Sequence, residues 1–410
     1  MLKVKKIAIV WESETVGGVS SFLKYLLQSK AFLDKKITII TNSENKGAKP
    51  LMNELSAQIN IKFIFFNSFF TFNRKRSFFE KLFYYFLKPL FLITTYFRFK
   101  KILYKEKFDA LLCSCGNYGS FRSEQSAILA AQKLKIPVKS IIIHHECVKP
   151  PIFMGIIYNF INLLLINALT SLITVSKATK ETLIENSNLL NGDRLKSYVI
   201  HNGVPKNSYD RKNYLNLKNN KLKNSTFKIG MVSRLSQDKG HEDLIEAFSK
   251  IPKKYKDKMD IVIVGKEENG QKRKLSNLIE QYNLDNKVEF LDYVDLDSKK
   301  IILSLDLLLS LTRKYEGFGL SIAEAMSVGT PVLATNVGGV KEFFNDECGK
   351  LIQPNQVLEI QEALIDFCDY QYEWKNKAMI AKDKIEKYYN SEIMGNNYMD
   401  HLQSKFSEVK

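Results

Sequence analysis

The chain has 410 residues, 45% of them hydrophobic, and a formal net charge of +17 at pH 7. This length exceeds one ordinary core, and strand-like and helix-like patterns alternate along it, so we expect two α/β domains with parallel sheets. Five irregularly spaced cysteines exclude a disulfide framework and a cysteine metal site, which favours a reducing cytoplasm. The first residues enter a strand directly, without the apolar core of a signal peptide, so we expect no export.

The first half predicts one Rossmann-like domain over residues 1–205. Its opening strand, Lys6 to Trp11, leads into Gly17-Gly18 and an amphipathic helix, which resembles half of a nucleotide-binding sheet. Apolar runs predict six further strands in this half, at Lys36–Thr41, Ile61–Phe66, Ala110–Cys113, Val138–Ile143, Ser171–Val175 and Tyr198–Ile200. The pair His144-His145 directly follows one of these strands.

Residues 60–107 contain seventeen Phe and Tyr, eleven Lys and Arg, and only two Glu. Rings interleaved with cations are typical of a surface that contacts anionic lipid, although part of the aromatics also suits a domain core. Single-stranded nucleic acid is the weaker alternative, because aliphatic residues accompany the rings and no RNA or DNA module is present. We therefore expect a membrane surface and no nucleic acid as partner. Lys88-Pro89 predicts a break in any helix here.

The segment Pro150 to Ser176 has no charged residue and is long enough to span a bilayer. Three asparagines interrupt it, and its end from Ala168 onwards has the pattern of a turn followed by a strand. We therefore predict a helix and a strand of a folded domain instead of a membrane span.

A Lys- and Asn-rich linker is predicted at residues 206–226, followed by a second Rossmann-like domain at 227–385. Its strands are predicted at Phe227–Val232, Asp260–Val264, Val288–Leu291, Leu305–Ser310 and Pro331–Ala334. The C-terminal residues, about 386–410, form an amphipathic helix that we expect to cross back to the first domain.

The run Glu316-Gly-Phe-Gly-Leu-Ser-Ile-Ala-Glu324 joins a buried strand to a helix through a glycine turn. Backbone N–H groups at such a helix start bind phosphate, and Gly317 and Gly319 allow it to come close. Two carboxylates beside a phosphate site suit the hydroxyls of a sugar nucleotide. Glu316 lies in the turn itself, where open α/β sheets place ligands. For Glu324 a structural alternative exists, because Ser321 and Glu324 have the spacing of a capping box.

Three motifs together resemble the C-terminal domain of family 4 glycosyltransferases: Gly230-Met-Val-Ser-Arg-Leu235 with Lys239-Gly240, the Glu316 to Glu324 run, and Gly329-Thr-Pro-Val332 followed by Gly338-Gly339. The resemblance implies the α/β GT-B fold, in which two Rossmann-like domains with parallel sheets face each other across a cleft. It also implies a retaining transferase that uses a nucleoside-diphosphate sugar, without a cofactor or metal ion.

By this resemblance, Arg234 and Lys239 contact the donor diphosphate, where two cations offset the charge of the leaving group. Glu324 would bind the ribose and Glu316 the hydroxyls of the donor sugar. In the loop between them, Gly319, Leu320 and Ser321 would supply amides to the phosphates, and Gly317 and Phe318 would also belong to the substrate-binding residues.

In the first domain, Gly17 and Gly18 would approach the diphosphate, and His145 would face the donor sugar. His144 could take this role instead, because the doubled histidine leaves the alignment to the family motif uncertain by one position. The alternative for both histidines is a structural role at the end of the strand. One departure from the family pattern leaves the bound base open: Lys266-Glu-Glu follows Val264-Gly265 where a second glycine is usual.

The expected function is transfer of a hexose or N-acetylhexosamine, with UDP as the first choice of nucleotide, to a lipid-linked or cell-surface polysaccharide acceptor. The expected place is the cytoplasm, at the inner face of the cell membrane. One alternative is a non-catalytic GT-B partner that assists an active glycosyltransferase. Another is a sugar-nucleotide epimerase of the same fold, for which the basic aromatic stretch has no evident use.

Overall fold

The computed structural model describes residues 3–14, 16–56, 59–67, 78–118, 123–150, 155–192, 194–206, 226–291 and 298–409, without the side chains of 78–86, 88 and 89. The chain divides into two compact units. Unit one comprises Met1–Asn202 and Ser391–Lys410, and unit two comprises Gly203–Asn390. Most of the linker expected at 206–226 lies outside the described residues.

Unit one is built on a parallel sheet of seven strands in the order β3-β2-β1-β4-β5-β6-β7. The strands are β1 Lys6–Trp11, β2 Lys36–Asn42, β3 Ile61–Phe66, β4 Ala110–Cys115, β5 Val138–Ile143, β6 Ser171–Thr174 and β7 Ser197–Val199. Strands β4 and β5 are buried at every residue and β1 at all but its first, as expected of apolar runs in a sheet covered on both faces. The strand order reverses between β1 and β4, which is the topological switch point of this sheet.

The helices of unit one are α1 Gly18–Leu27, α2 Lys30–Leu33, α3 Ala48–Leu55, α4 Phe78–Tyr104, α5 Ser123–Lys133, α6 Gly155–Ala168 and α7 Lys177–Asn186. Helix α4 continues through Pro89, so the expected break was wrong. Phe99 and Leu103 of α4 are fully buried in the core, and such packing offsets the roughly 3 kcal/mol that an interior proline costs a helix. The uncharged segment from Pro150 forms α6 and β6, as predicted. Within the described part of the chain, no helix has the length and apolar character needed to cross a membrane.

Unit two repeats the architecture with six parallel strands in the order β10-β9-β8-β11-β12-β13. The strands are β8 Phe227–Val232, β9 Met259–Val264, β10 Val288–Leu291, β11 Leu307–Ser310, β12 Val332–Thr335 and β13 Lys350–Ile352. The helices are α8 His241–Lys250, α9 Lys253–Lys256, α10 Gln271–Gln281, α11 Ser298–Leu303, α12 Leu320–Val328, α13 Val357–Asp369 and α14 Gln371–Tyr388. Here the strand order reverses between β8 and β11.

The last helix, α15 Ser391–Val409, belongs to unit one. Its Tyr398 is fully buried, and the ring lies 5.7 Å from that of Phe22 in α1. Its His401 Nε2 lies 2.8 Å from the Ser171 hydroxyl of β6. The chain therefore returns to its first unit after completing the second.

Three histidines make folding sensitive to acid. Burial lowers the pKa of His144 to about 3, and it lowers the pKa values of His241 and His401 to about 4. The unfolded chain titrates near pH 6.5, so below that value it binds more protons than the folded chain. Stability is therefore complete above about pH 6.5 and falls as the pH drops towards 4.

We expect His241 and His401, which are both buried, each to remove about 2 kcal/mol of unfolding free energy between pH 7.5 and pH 5. Urea unfolding at the two pH values measures the sum, and His241→Gln should reduce the difference by one such increment. A variant with the same pH dependence as the unmodified chain would contradict this account of His241.

Candidate functional site

The loops that follow β8 and β11 come together at the switch point of unit two. Adjacent strands whose connections leave in opposite directions open a crevice at their carboxyl ends, where α/β sheets bind ligands. Arg234 and Lys239 follow β8, and Glu316 follows β11. The structure thus places Glu316 beside Lys239, although the two lie 77 residues apart in the sequence.

Lys239 and Glu316 form an ion pair in this crevice. Lys239 Nζ donates to Glu316 Oε2 at 2.7 Å and to Thr312 Oγ1 at 3.4 Å. Thr312 Oγ1 donates to the same carboxylate oxygen at 3.3 Å. The Lys239 side chain is 12% exposed, so its ammonium group is held in place before any ligand binds. Thr312 was not identified from the sequence.

Arg234 forms an ion pair of its own, with Glu268. Its Nη1 donates to Glu268 Oε1 at 2.7 Å, and the arginine side chain remains 39% exposed. Glu268 lies in the loop after β9, and its own N–H donates to the Leu235 carbonyl at 3.1 Å. The Lys266-Glu-Glu departure from the family pattern therefore supplies the partner of Arg234. The two acids that follow the replaced glycine, beside a predicted phosphate site, were the sequence signal for it.

Arg313 ties the loop after β11 to the start of α8. Its Nε and Nη2 donate to the two carboxylate oxygens of Asp243 at 2.8 and 2.6 Å, and its Nη1 donates to Glu242 at 2.9 Å. Burial raises the pKa of Glu242, but hydrogen bonds from Lys274, Gln271 and Arg313 outweigh it and lower that pKa to about 2. This network joins the loop that carries Glu316 to the helix start that follows Lys239.

Replacing Arg313 by alanine should destabilise unit two by about 2–3 kcal/mol, because two partly buried carboxylates lose a shared partner. Urea unfolding followed by tryptophan fluorescence or circular dichroism measures the loss. Arg234→Ala is the matched control, since it removes one half-exposed ion pair and should cost no more than about 1 kcal/mol. Equal losses of stability in the two variants would contradict the role of Arg313 in joining the loop after β11 to the start of α8.

In the Glu316 to Glu324 run, Gly319 immediately precedes α12 as its N-cap. Gly319 has a φ of 99°, and its carbonyl accepts the N–H of Ala323 at 3.1 Å. Ser321 is therefore the second residue of the helix, and the capping-box alternative for Glu324 is excluded. Glu324 lies one turn into the helix and is buried. Leu320 and Ser321 are partly exposed at the helix start, where backbone N–H groups have no intrahelical partner.

Two contacts fix the backbone of this loop. Gly339 donates its N–H to the Glu316 carbonyl at 2.9 Å, and a Cβ at Gly338 would overlap that carbonyl oxygen. The Phe318 ring is buried and stacks on Phe343 at 4.4 Å. The side chain of Phe318 is thus a packing element of this loop. Gly317, before it, is also buried.

In unit one, Gly17 precedes α1 and Gly18 is its first residue. Gly17 has an extended φ of −177°, and an added Cβ would meet no atom within 4 Å. Neither the backbone nor the packing of the unit therefore requires glycine at this position.

The two histidines follow β5. His144 Nε2 lies 2.8 Å from the Ser114 hydroxyl of β4, and its ring packs on Phe22 with centroids 4.5 Å apart. The His144 ring is thus engaged inside unit one. His145 is partly buried at the next position.

Comparison with known proteins gives a family match and whole-chain structural neighbours. Residues 215–386 match the family described as glycosyl transferases group 1. Over 232 residues the chain is 34% identical to an uncharacterized glycosyltransferase, MJ1607, of Methanocaldococcus jannaschii, a match that covers 53% of this chain and 55% of the relative. The chain spans about half the length of the curated relatives it matches.

Two crystal structures resemble the whole chain. A glycosyltransferase from Rickettsia africae ESF-5 has a TM-score of 0.74 and 21% identity, with 98% of this chain and 99% of that one covered. Anabaena Alr3699/HepE in complex with UDP and glucose has a TM-score of 0.72 and 19% identity, with 98% and 100% covered.

The two parallel sheets and these neighbours define the GT-B fold, as the sequence predicted. Arg234, Lys239, Glu316 and Glu324 all lie within the segment that matches the glycosyl transferases group 1 family.

Proposed function

We propose that this chain is a retaining family 4 glycosyltransferase. It transfers a hexose or N-acetylhexosamine from a nucleoside-diphosphate sugar to a lipid-linked or cell-surface polysaccharide acceptor. The observation that carries the proposal is the convergence of Arg234, Lys239 and Glu316 at the switch point of unit two. UDP is the proposed nucleotide, supported by the structural neighbour that binds UDP and glucose.

In this proposal the two cations stabilise the diphosphate as it leaves. Charge grows on the phosphate oxygens in the transition state, so a positive group already in position lowers the barrier. Lys239 is such a group, because Glu316 and Thr312 fix its ammonium. Arg234 is more exposed and exchanges Glu268 for phosphate oxygens, which its guanidinium binds as a fork. Backbone N–H groups at the start of α12, from Gly319 to Ser321, complete the phosphate site.

The carboxylates position the donor and do not transfer protons. Glu316 binds hydroxyls of the donor sugar, and the buried Glu324 binds the ribose. With retention, the acceptor hydroxyl enters on the face from which the diphosphate leaves, and the diphosphate itself accepts the proton. For Gly17, Gly18 and His145 of unit one, contact with the donor stays a prediction of the family resemblance. Arg234, Lys239 and the helix amides supply the positive charge, so the reaction needs no cofactor or metal ion.

The proposed place of action is the cytoplasmic face of the cell membrane. The supporting observations are the net charge of +17 and the exposed Phe97, Lys101, Tyr104 and Lys105 at the end of α4. An acceptor anchored in lipid would then meet the enzyme at the membrane surface.

One observation favours a second candidate, a non-catalytic GT-B partner protein. Glu268 binds Arg234 where the diphosphate would bind, so the arginine is already paired without a ligand. In a catalytic protein the donor must displace this carboxylate, whereas in a partner protein the pair persists.

Thermal shifts with UDP, GDP, ADP and their sugar conjugates test the proposal. Ligand at 100 times its dissociation constant adds about 2.7 kcal/mol of stability, so a clear shift is expected with uridine nucleotides. The Arg234→Ala, Lys239→Ala double variant should lose the shift, and a variant of the exposed Lys253, Lys253→Ala, should keep it. No shift with any nucleotide would refute the proposal. A shift without slow release of UDP from any UDP-sugar would favour the partner protein.

A further inference from the structure

We propose that the outward faces of α4 and α6 form one membrane-docking surface, in which α6 enters the lipid interface and α4 binds lipid phosphates. The inference rests on the proposed function, since a lipid-linked acceptor would require such a surface. It assigns a specific role to α6, which lies outside the basic aromatic stretch.

Helix α6 presents an apolar stripe that no described residue covers. Its fourteen residues include no charged side chain. Ile156 is 86% exposed and Phe160 61% exposed, and Leu163 and Leu164 continue the same face at helical spacing. The opposite face, with Tyr158, Ile161 and Leu165, is buried in the core. A helix that is apolar on both faces while only one is packed marks an interaction site.

Helix α4 presents an apolar and basic stripe. Leu90, Ile93 and Phe97 are exposed and are followed on the same face by Lys101 and Tyr104, the latter 79% exposed. A shallow cavity of about 340 Å³ lies at the basic end and is lined by Phe97, Lys100, Lys101, Tyr104 and Lys105. Cations beside aromatic rings suit phosphates at the headgroup level of a membrane.

The two stripes lie on the same side of unit one. Helix α5 packs against both α4 and α6, and Ser126 of α5 donates a hydrogen bond to the Leu92 carbonyl of α4 at 2.9 Å. The inner faces of all three helices contribute to a single core cluster. The outer faces of α4 and α6 therefore point away from that cluster together, on either side of α5.

Charge favours an anionic bilayer over a second copy of the chain as the occupant. Each copy carries +17, so pairing basic faces would bring like charges together. An anionic membrane instead offers phosphates to Lys101 and Lys105 and an apolar layer to Phe160 and Leu163. Attraction to anionic lipid and burial of apolar side chains reinforce each other in such interfacial binding.

Co-sedimentation of the full chain with phosphatidylcholine vesicles, and with vesicles that also contain phosphatidylglycerol, tests the inference. We expect binding to the anionic vesicles that weakens at high salt. Phe160→Ser with Leu163→Ser should weaken partitioning at least about tenfold. Lys101→Glu with Lys105→Glu should weaken it similarly and remove most of the salt dependence.

Leu358→Ser with Ile380→Ser is the matched control, because both residues are exposed apolar side chains of unit two. It should bind vesicles like the unmodified chain. An α6 variant that also binds like the unmodified chain would overturn the proposal. So would a light-scattering mass that drops from dimer to monomer in that variant, since α6 would then contact a second copy.

Nucleotide thermal shifts without vesicles, on the same proteins, separate this inference from the proposed function. A chain that shifts with UDP but ignores anionic vesicles refutes the docking surface alone. A chain that binds the vesicles but shifts with no nucleotide refutes the transferase alone. Unchanged melting temperatures in the α4 and α6 variants show that their losses do not come from unfolding.

Discussion

Alanine at both Arg234 and Lys239 should lower the release of nucleoside diphosphate from the donor by at least about a thousandfold. Removing a single group that stabilises developing charge typically costs 10²- to 10³-fold in kcat, and these two act on the same leaving group. Lys239 should be the more costly of the two. Its loss leaves the Glu316 carboxylate in the crevice without its 2.7 Å partner, whereas Arg234 is already half exposed.

Donor turnover without acceptor, followed as free UDP, measures the effect for each single variant and for the pair. We expect the double variant to lose less than the product of the two single losses, because both cations serve one diphosphate. Lys253→Ala changes an exposed lysine of α9 and should retain full turnover. A double variant within tenfold of the unmodified chain would exclude the proposed role of these cations.

The strands could be predicted because a parallel sheet covered on both faces requires continuous apolar runs. The sequence analysis placed a strand at every position from β1 to β12. The three-residue β13, Lys350–Ile352, was missed, because it is too short and too exposed to show a pattern. The continuity of α4 through Pro89 was also missed, since it depends on packing of Phe99 and Leu103 and not on local propensity.

The residues of the site also divide into those that the local sequence predicts and those that it does not. Arg234, Lys239 and Glu316 were predicted because each belongs to a local motif beside a strand end. Glu268 and Thr312 were not, because their role arises only when the strand order β9-β8-β11 brings three loops together. Local sequence shows which groups a site contains, whereas the sheet order decides which of them touch.

Gly338→Ala should reduce donor turnover by about a hundredfold, although Gly338 contacts no ligand in the proposed site. Its φ of 54° disfavours alanine, and the added Cβ would overlap the Glu316 carbonyl oxygen. The Glu316 backbone must then move, and displacement of a positioning group by about 1 Å can cost 10²-fold in rate. Gly270→Ala is the matched control: Gly270 has a similar φ of 74°, but an added Cβ there meets no atom within 4 Å. It should cost about 1 kcal/mol of stability and leave turnover unchanged.

A double-mutant cycle shows whether Gly338 acts through Glu316. Glu316→Gln alone removes the charged partner of Lys239 and should itself lower turnover. If Gly338 serves to hold Glu316 in place, adding Gly338→Ala to that variant should cost much less than it does in the unmodified chain, with a coupling of at least about 1 kcal/mol. Additive losses would mean that the strain at Gly338 affects the reaction by another route. The contact between Gly338 and the Glu316 backbone would then not serve to position the Glu316 carboxylate.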